Sequence, residues 1–221
     1  MMHFRLSATR HTEISTCKDD YFVLSKKGWI FVQRITIIGS PGAGKSTFAR
    51  RLGDVTGLEV YHLDRLYWQP GWVETSRALW IKLQEELIER PSWIIDGNYH
   101  STMDIRIQAA DTVILLDVPR YLCLWRAIKR VVQFRGKTRP DMGEGCAEKL
   151  DLAFLLYIWG FQKRENEAID RRLKEALQVG KQVIRFSKKA EIDAYLTSLR
   201  RHGSQVQMVT ADEPSSNKTV N

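Results

Sequence analysis

Cysteine is scarce in this 221-residue chain: Cys17, Cys123 and Cys146 are three, and no two of them form a C-x-x-C pair. That argues against a disulfide scaffold and a structural zinc site, and it fits a reducing cytoplasm. Long apolar runs are missing too. None approaches the ~20 residues that a membrane-spanning helix needs, and the first residues lack the apolar stretch of a secretion signal. A cytoplasmic protein with no membrane partner is expected. Acidic residues are also in short supply, 26 against 34 Lys+Arg, for a net charge of +8. This excludes an acidic tail protein and points to an anionic partner: a nucleotide, a nucleic acid or a phosphorylated metabolite.

The excess charge is not spread evenly. Between Arg120 and Arg139 there are seven basic residues (Arg120, Arg126, Lys129, Arg130, Arg135, Lys137, Arg139) and no acid. Residues 1–33 carry no clear period at first, then two apolar runs, 21–24 and 29–32, around Ser25-Lys26-Lys27-Gly28. These read as a hairpin in an extension outside the main fold. Residues 201–221 have few large apolar side chains and are expected to be a disordered tail. The working domain is therefore expected over 34–200, with a lid at about 130–150.

Inside that span the pattern is regular. Short β-branched runs at 35–38, 59–62, 93–96, 112–118 and 182–186 read as buried strands. Between them lie helical stretches: 45–54, 76–89 with Leu79, Leu83 and Leu87 inward and Thr75 as N-cap, and 121–132 with Leu124, Ile128 and Val131 inward. Two more helices are expected at 150–161 and 166–177, the second with Ile169, Leu173 and Leu177 inward, and a last one at 190–199. Strands alternating with helices predict an α/β fold: a five-stranded parallel sheet covered on both faces. No internal repeat is evident.

Gly39-Ser40-Pro41-Gly42-Ala43-Gly44-Lys45-Ser46 matches G-x-x-x-x-G-K-[ST] between a strand and a helix. The glycines let successive N–H groups point at phosphate oxygens, and the helix N-terminus adds its positive end. Lys45 is expected at the β- and γ-phosphates, Ser46 at Mg²⁺ and Thr47 at the α-phosphate. Gly39, Gly42, Ala43 and Gly44 form the cradle. ATP with Mg²⁺ is the expected cofactor pair.

Ligands in open parallel sheets sit beyond the carboxyl ends of the strands. Three polar clusters fall there. In His62-Leu63-Asp64, Asp64 can orient or deprotonate a hydroxyl, or is a solvated loop carboxylate; His62 reads as structural. In Asp96-Gly97-Asn98-Tyr99, Asp96 is placed to hold Mg²⁺ through water, and Asp96, Gly97, Asn98 and Tyr99 together to hold an acceptor; the same string also spells a plain turn. Asp117 is a rival for the metal. Arg126 and Arg130, i and i+4 on one helix, and Arg139 in the following loop supply cations where phosphoryl charge spreads, or form a solvated basic face. Tyr67, Trp68 and Trp72 can stack on a planar base or sugar, or make a satellite core.

The phosphate loop, His62-Leu63-Asp64, Gly71-Trp72, Trp93-Ile94-Ile95-Asp96-Gly97-Asn98-Tyr99 and Thr138-Arg139-Pro140-Asp141-Met142 together resemble the bacterial DNA topology modulation proteins, a family similar to adenylate and shikimate kinases. The resemblance spans 34–199 and implies a P-loop kinase core with a lid carrying Arg139. The chain departs from the related kinases in two strings: Asp141-Met142 stands where shikimate kinases have two leucines, and Asn98-Tyr99 where adenylate kinases have Phe-Pro-Arg. The expected activity is transfer of the ATP γ-phosphate to a small-molecule acceptor, a nucleotide or hydroxylated metabolite. The alternatives are an ATP-switched, non-specific DNA-binding regulator and a plain ATPase.

Overall fold

A computed structural model describes residues 32–201 in full and residues 13–17, 20–25, 28–31 and 202–211 by backbone alone. Near the start, β1 (Glu13–Cys17), β2 (Asp20–Ser25) and β3 (Gly28–Phe31) form a small antiparallel sheet in sequential order. β2 and β3 pair as the hairpin expected, with Leu24 opposite Trp29.

The main sheet begins at β4 (Arg34–Gly39) and continues through β5 (Val60–His62), β8 (Trp93–Asp96), β9 (Thr112–Leu116) and β10 (Gln182–Phe186). Its spatial order is β10-β9-β4-β8-β5, and every pairing in it is parallel. β4, β8 and β9 are almost wholly buried because helices cover both faces. One core layer gathers Ile35, Ile37, Phe48, Leu52 and Ile114; the other gathers Leu63, Trp80, Trp93, Ile95 and Phe161. This is the α/β P-loop NTPase fold.

The connections are α1 (Lys45–Thr56), α2 (Leu63–Tyr67), the two-residue strands β6 (Trp68–Gln69) and β7 (Val73–Glu74), α3 (Arg77–Ile88), α4 (Met103–Ala109), α5 (Arg120–Gln133) and α6 (Leu152–Gln178). α7 (Lys189–Ala211) follows β10.

Several details differ from the sequence reading. The two helices expected at 150–161 and 166–177 are one helix, α6, because Gln162-Lys163-Arg164-Glu165 contains no breaker and Arg164 lies over Gly160. Leu177 on it is exposed. α3 buries Trp80, Gln84 and Leu87 and leaves Leu79 outside; Ser76 is its N-cap residue, while the Thr75 hydroxyl donates to Tyr67 O. α5 buries Cys123 and Ala127 and exposes Ile128. The cause is the phosphate loop: a Cβ on Gly42 would overlap the carbonyl oxygen of Cys123, so only small side chains fit on that side. α7 runs past the expected end at Leu199 and into the proposed tail, as far as Ala211; residues 212–221 lie outside the described residues. Val32, placed in the extension by the sequence reading, is buried in the core.

Candidate active site

The carboxyl ends of β4, β5 and β8 open into one cavity of about 1120 Å³. That is more than a single small ligand fills and is enough for two side by side. The loop after β4 forms its floor. Gly39, Gly42 and Gly44 all have left-handed φ, 145°, 81° and 98°. That is what curls the loop and aims its N–H groups inward. Lys45 Nζ donates to Gly39 O at 2.9 Å and Ser40 O at 3.2 Å. Burial pulls the Lys45 ammonium below the usual lysine range, and the carboxylates of Asp64 and Asp96 work against that. Ser46, Thr47, Gly44 and Gly42 line the same cavity; Gly39 and Ala43 shape the loop from behind.

The parallel register sets His62 of β5 opposite Asp96 of β8. Their side chains meet, with His62 Nδ1 2.5 Å from Asp96 Oδ1. Burial disfavours the imidazolium, but the hydrogen bond and charge of Asp96 outweigh it, and the His62 pKa is raised from 6.5. The sequence reading took His62 as structural; the structure gives it a defined electrostatic partner at the site. A histidine whose folded pKa is raised stabilises the fold fully below its unfolded pKa, and that contribution is lost as pH rises through the folded value. His62→Gln is therefore expected to flatten the fall in melting temperature as pH rises above the ordinary histidine range. Parallel melting curves of the two proteins over that rise in pH check this; identical slopes refute it.

Asn98 has a task different from the acceptor contact expected of it. Its Nδ2 donates to Gly39 O at 2.6 Å and its Oδ1 accepts from Gly39 N at 3.0 Å. Both ends of the amide thus fix the entry to the phosphate loop. Gly97 is required where it stands: φ is 142°, and a Cβ would collide with Leu63. Arg106 holds this turn from below. It is fully buried and donates to Gly97 O, Asn98 O, Thr102 and the Gln84 side chain. Burial lowers its pKa to about 9. Neither Arg106 nor Gln84 was legible as a site residue, because a polar side chain on a helix gives no sign of which loop it will support.

Tyr99 adopts a left-handed backbone, φ 34°, and its hydroxyl donates to Asp64 Oδ1 at 2.9 Å. Asp64 therefore reaches the cavity with one oxygen braced. Asp117, the rival metal ligand, pairs with Arg185 at 3.7 Å and is not among the cavity residues.

The basic stretch divides. Arg126 Nη1 donates to Ala43 O at 3.0 Å, tying α5 to the phosphate loop. Arg130 and Arg139 converge on Glu148, with Nε atoms 3.1 and 2.5 Å from its Oε1, and Arg139 also pairs with Asp141 at 3.1 Å. All four side chains line the cavity. Glu148 was missed because its partners Arg130 and Arg139 lie across a loop, and Asp141 because its pairing with Arg139 two residues away follows no helical or strand spacing. Of the other cations, Arg120 lies over the Trp159 ring and Lys129 over Trp125. Four of the seven, Arg126, Lys129, Arg130 and Arg139, line the cavity, while Arg120, Arg135 and Lys137 are exposed.

The expected lid is fastened to the β6–β7 turn. Gly71 N donates to Gly145 O at 3.3 Å, Trp72 Nε1 donates to Ala147 O at 3.1 Å and Cys146 Sγ donates to Gln69 O at 3.2 Å. Gly143 passes so near Trp68 O that a Cβ would overlap it. Trp72 holds φ at 65°, an unusual conformation for a bulky residue, where its indole meets the lid.

No family model matches the chain. No curated protein matches it either. Solved structures do. A shikimate kinase from Acinetobacter baumannii in complex with shikimate aligns with a TM-score of 0.49 and 15% identity, over 82% of this chain and 95% of that one. A gluconokinase from Sinorhizobium meliloti 1021 aligns with a TM-score of 0.43 and 13% identity, over 82% of this chain and 98% of that one.

Proposed function

We propose that the protein is a P-loop phosphotransferase that moves the γ-phosphate of ATP to a hydroxyl group of a small molecule, with residues 34–200 as its catalytic unit. One observation carries this: a single cavity holds the phosphate loop with Lys45, the braced carboxylate of Asp64, and the Arg130–Arg139 pair. In the proposed step the acceptor oxygen bonds to the γ-phosphorus as the bridging Pγ–O bond breaks. ADP leaves, and the hydroxyl proton passes to Asp64, a cavity-lining carboxylate whose Oδ1 is the oxygen held by Tyr99. Lys45, Arg126, Arg130 and Arg139 offset the charge on the phosphoryl oxygens.

Ser46 and Asp96 suit Mg²⁺. Asp96 gives one oxygen to His62 and keeps the other, and Ser46 lines the same cavity. Among the described residues no group of three or more His, Cys, Asp or Glu is placed to hold a metal. Magnesium usually takes one or two protein oxygens and completes its shell with phosphate and water, so Ser46 directly and Asp96 through water are sufficient. Bound there, the ion supplies further charge neutralisation at the phosphates.

The narrower resemblance to the DNA topology modulation proteins rests on the residue strings alone, and no nucleic-acid role is proposed. The test is ADP release by purified protein with ATP and Mg²⁺, with and without a panel of nucleosides, sugars and hydroxy acids. An acceptor-dependent increase is expected. Release that no acceptor changes identifies a hydrolase and overturns the reading.

A further inference from the structure

The cations of the cavity come from one part of its lining, where the lid carboxylates Asp141 and Glu148 are already paired with Arg139 and Arg130. Every lysine and arginine lining the cavity comes from α1, α5 or the lid. The lining from residues 62–74, 96–100 and 151–157 contributes the carboxylates of Asp64, Glu74, Asp96 and Asp151 and no lysine or arginine of its own, although Arg130 of α5 reaches over the Phe154 ring at 5.8 Å. Arg65, the arginine in those segments, is exposed and outside the lining. His100 on this wall is held toward its neutral form by burial, although Glu165 lies 3.3 Å away.

Two of these carboxylates are built alike. Asp64 accepts the Tyr99 hydroxyl on Oδ1 at 2.9 Å, and Glu74 accepts the Tyr67 hydroxyl on Oε2 at 3.0 Å. Each keeps a second oxygen for a donor. Between them stand flat rings. Trp68 and Trp72 meet edge to face with centroids 5.4 Å apart, and Tyr67 packs on Trp68, Trp80 and Tyr99 at 4.7 to 5.0 Å. The Trp72 indole is tied to Ala147 O of the lid. These rings are fixed before any ligand arrives, so stacking on them costs little ordering entropy.

Away from the phosphate loop, the part of this lining made by Glu74, Trp68 and Trp72 disfavours a carboxylate or phosphate and receives N–H and O–H donors on a planar body. Resting on the phosphotransferase reading above, we infer that the acceptor is a hydroxyl compound with a flat ring and no anionic group, neutral or amine-bearing, held by Trp68, Trp72 and Glu74 with its hydroxyl at Asp64. A site for a hydroxy acid or a nucleoside monophosphate needs a cation clamp on this side, and the wall supplies carboxylates instead.

The experiment pairs tryptophan-fluorescence titration with acceptor-stimulated ADP release. Adenosine, pyridoxine and phenylethanolamine are the probes of the proposed class; shikimate, gluconate and AMP are the anionic set. At least one ring compound of the first set is expected to bind and to stimulate ADP release, with KM at least about tenfold below that of every anionic probe. Glu74→Gln and Trp72→Ala should each raise that KM by about tenfold while ATP-analogue affinity stays at the wild-type value, which a misfolded variant would not show. Tighter binding and faster turnover of an anionic probe overturns the inference and leaves the phosphotransferase reading standing. ATP consumption that no probe alters, with no probe binding, overturns both.

Discussion

Lys45→Ala is expected to lower ATP turnover by about 10³-fold, with smaller changes in binding of an ATP analogue. The reason is where the ammonium sits. It lies on the first turn of α1, half-buried at the floor of the cavity, and folds onto Gly39 O and Ser40 O at the centre of the loop. Removing one preorganised donor from the place where charge develops costs roughly 10²–10³ in kcat, and here the donor also carries a full charge. Lys45→Arg should not rescue the loss, since a planar guanidinium cannot make the same contacts in a loop closed by Gly39, Gly42 and Gly44. A coupled ADP assay beside a melting curve makes the measurement. Turnover within tenfold of the wild type, with the fold intact, would remove Lys45 from the catalytic machinery and with it most of the case for phosphoryl transfer.

Arg106→Leu should produce the largest loss of stability from one substitution on α4. The leucine fills part of the space but leaves the carbonyl oxygens of Gly97 and Asn98 and the Gln84 side chain without their donor. Each buried acceptor left unpaired costs about 1–3 kcal/mol; two to three of them give about 3–5 kcal/mol. In a domain of this size that lowers the melting temperature by roughly 10–15 °C. Activity should fall in the folded fraction as well, because the turn that carries Asn98 loosens and Asn98 is what fixes both backbone groups of Gly39. Arg106→Lys keeps the charge but not the fork, and an intermediate loss is expected. Denaturation by urea and by heat, read on all three proteins, decides this. A shift below about 3 °C for Arg106→Leu would mean that water replaces the guanidinium at the turn.

Much of this could be read from residue types in order. The phosphate loop is a local object: its glycines, Lys45 and Ser46 act through backbone conformations that the string itself dictates. The five strands were legible for a similar reason, since strands buried on both faces are continuous apolar runs. The inward faces of α3 and α5 were not. The period of 3.6 marks where bulky apolar residues recur, and Leu79 and Ile128 fall on that period yet face outward. Neighbours decided otherwise: the close approach of the phosphate loop admits Cys123 and Ala127, and the turn after β8 needs Gln84 and Arg106 beneath it.

The sequence alone therefore determined the class of fold, the place of the glycine-rich loop and which strand ends carry the polar clusters. Tertiary structure decided the partners. It set His62 against Asp96 across two strands, spent Asn98 on Gly39, gathered Arg130 and Arg139 on Glu148, and braced Asp64 and Glu74 with tyrosines on an aromatic wall. The reason is physical. Strand and loop formation depend on neighbours along the chain, whereas charge pairing, burial and ring packing depend on distances in space that no linear spacing encodes.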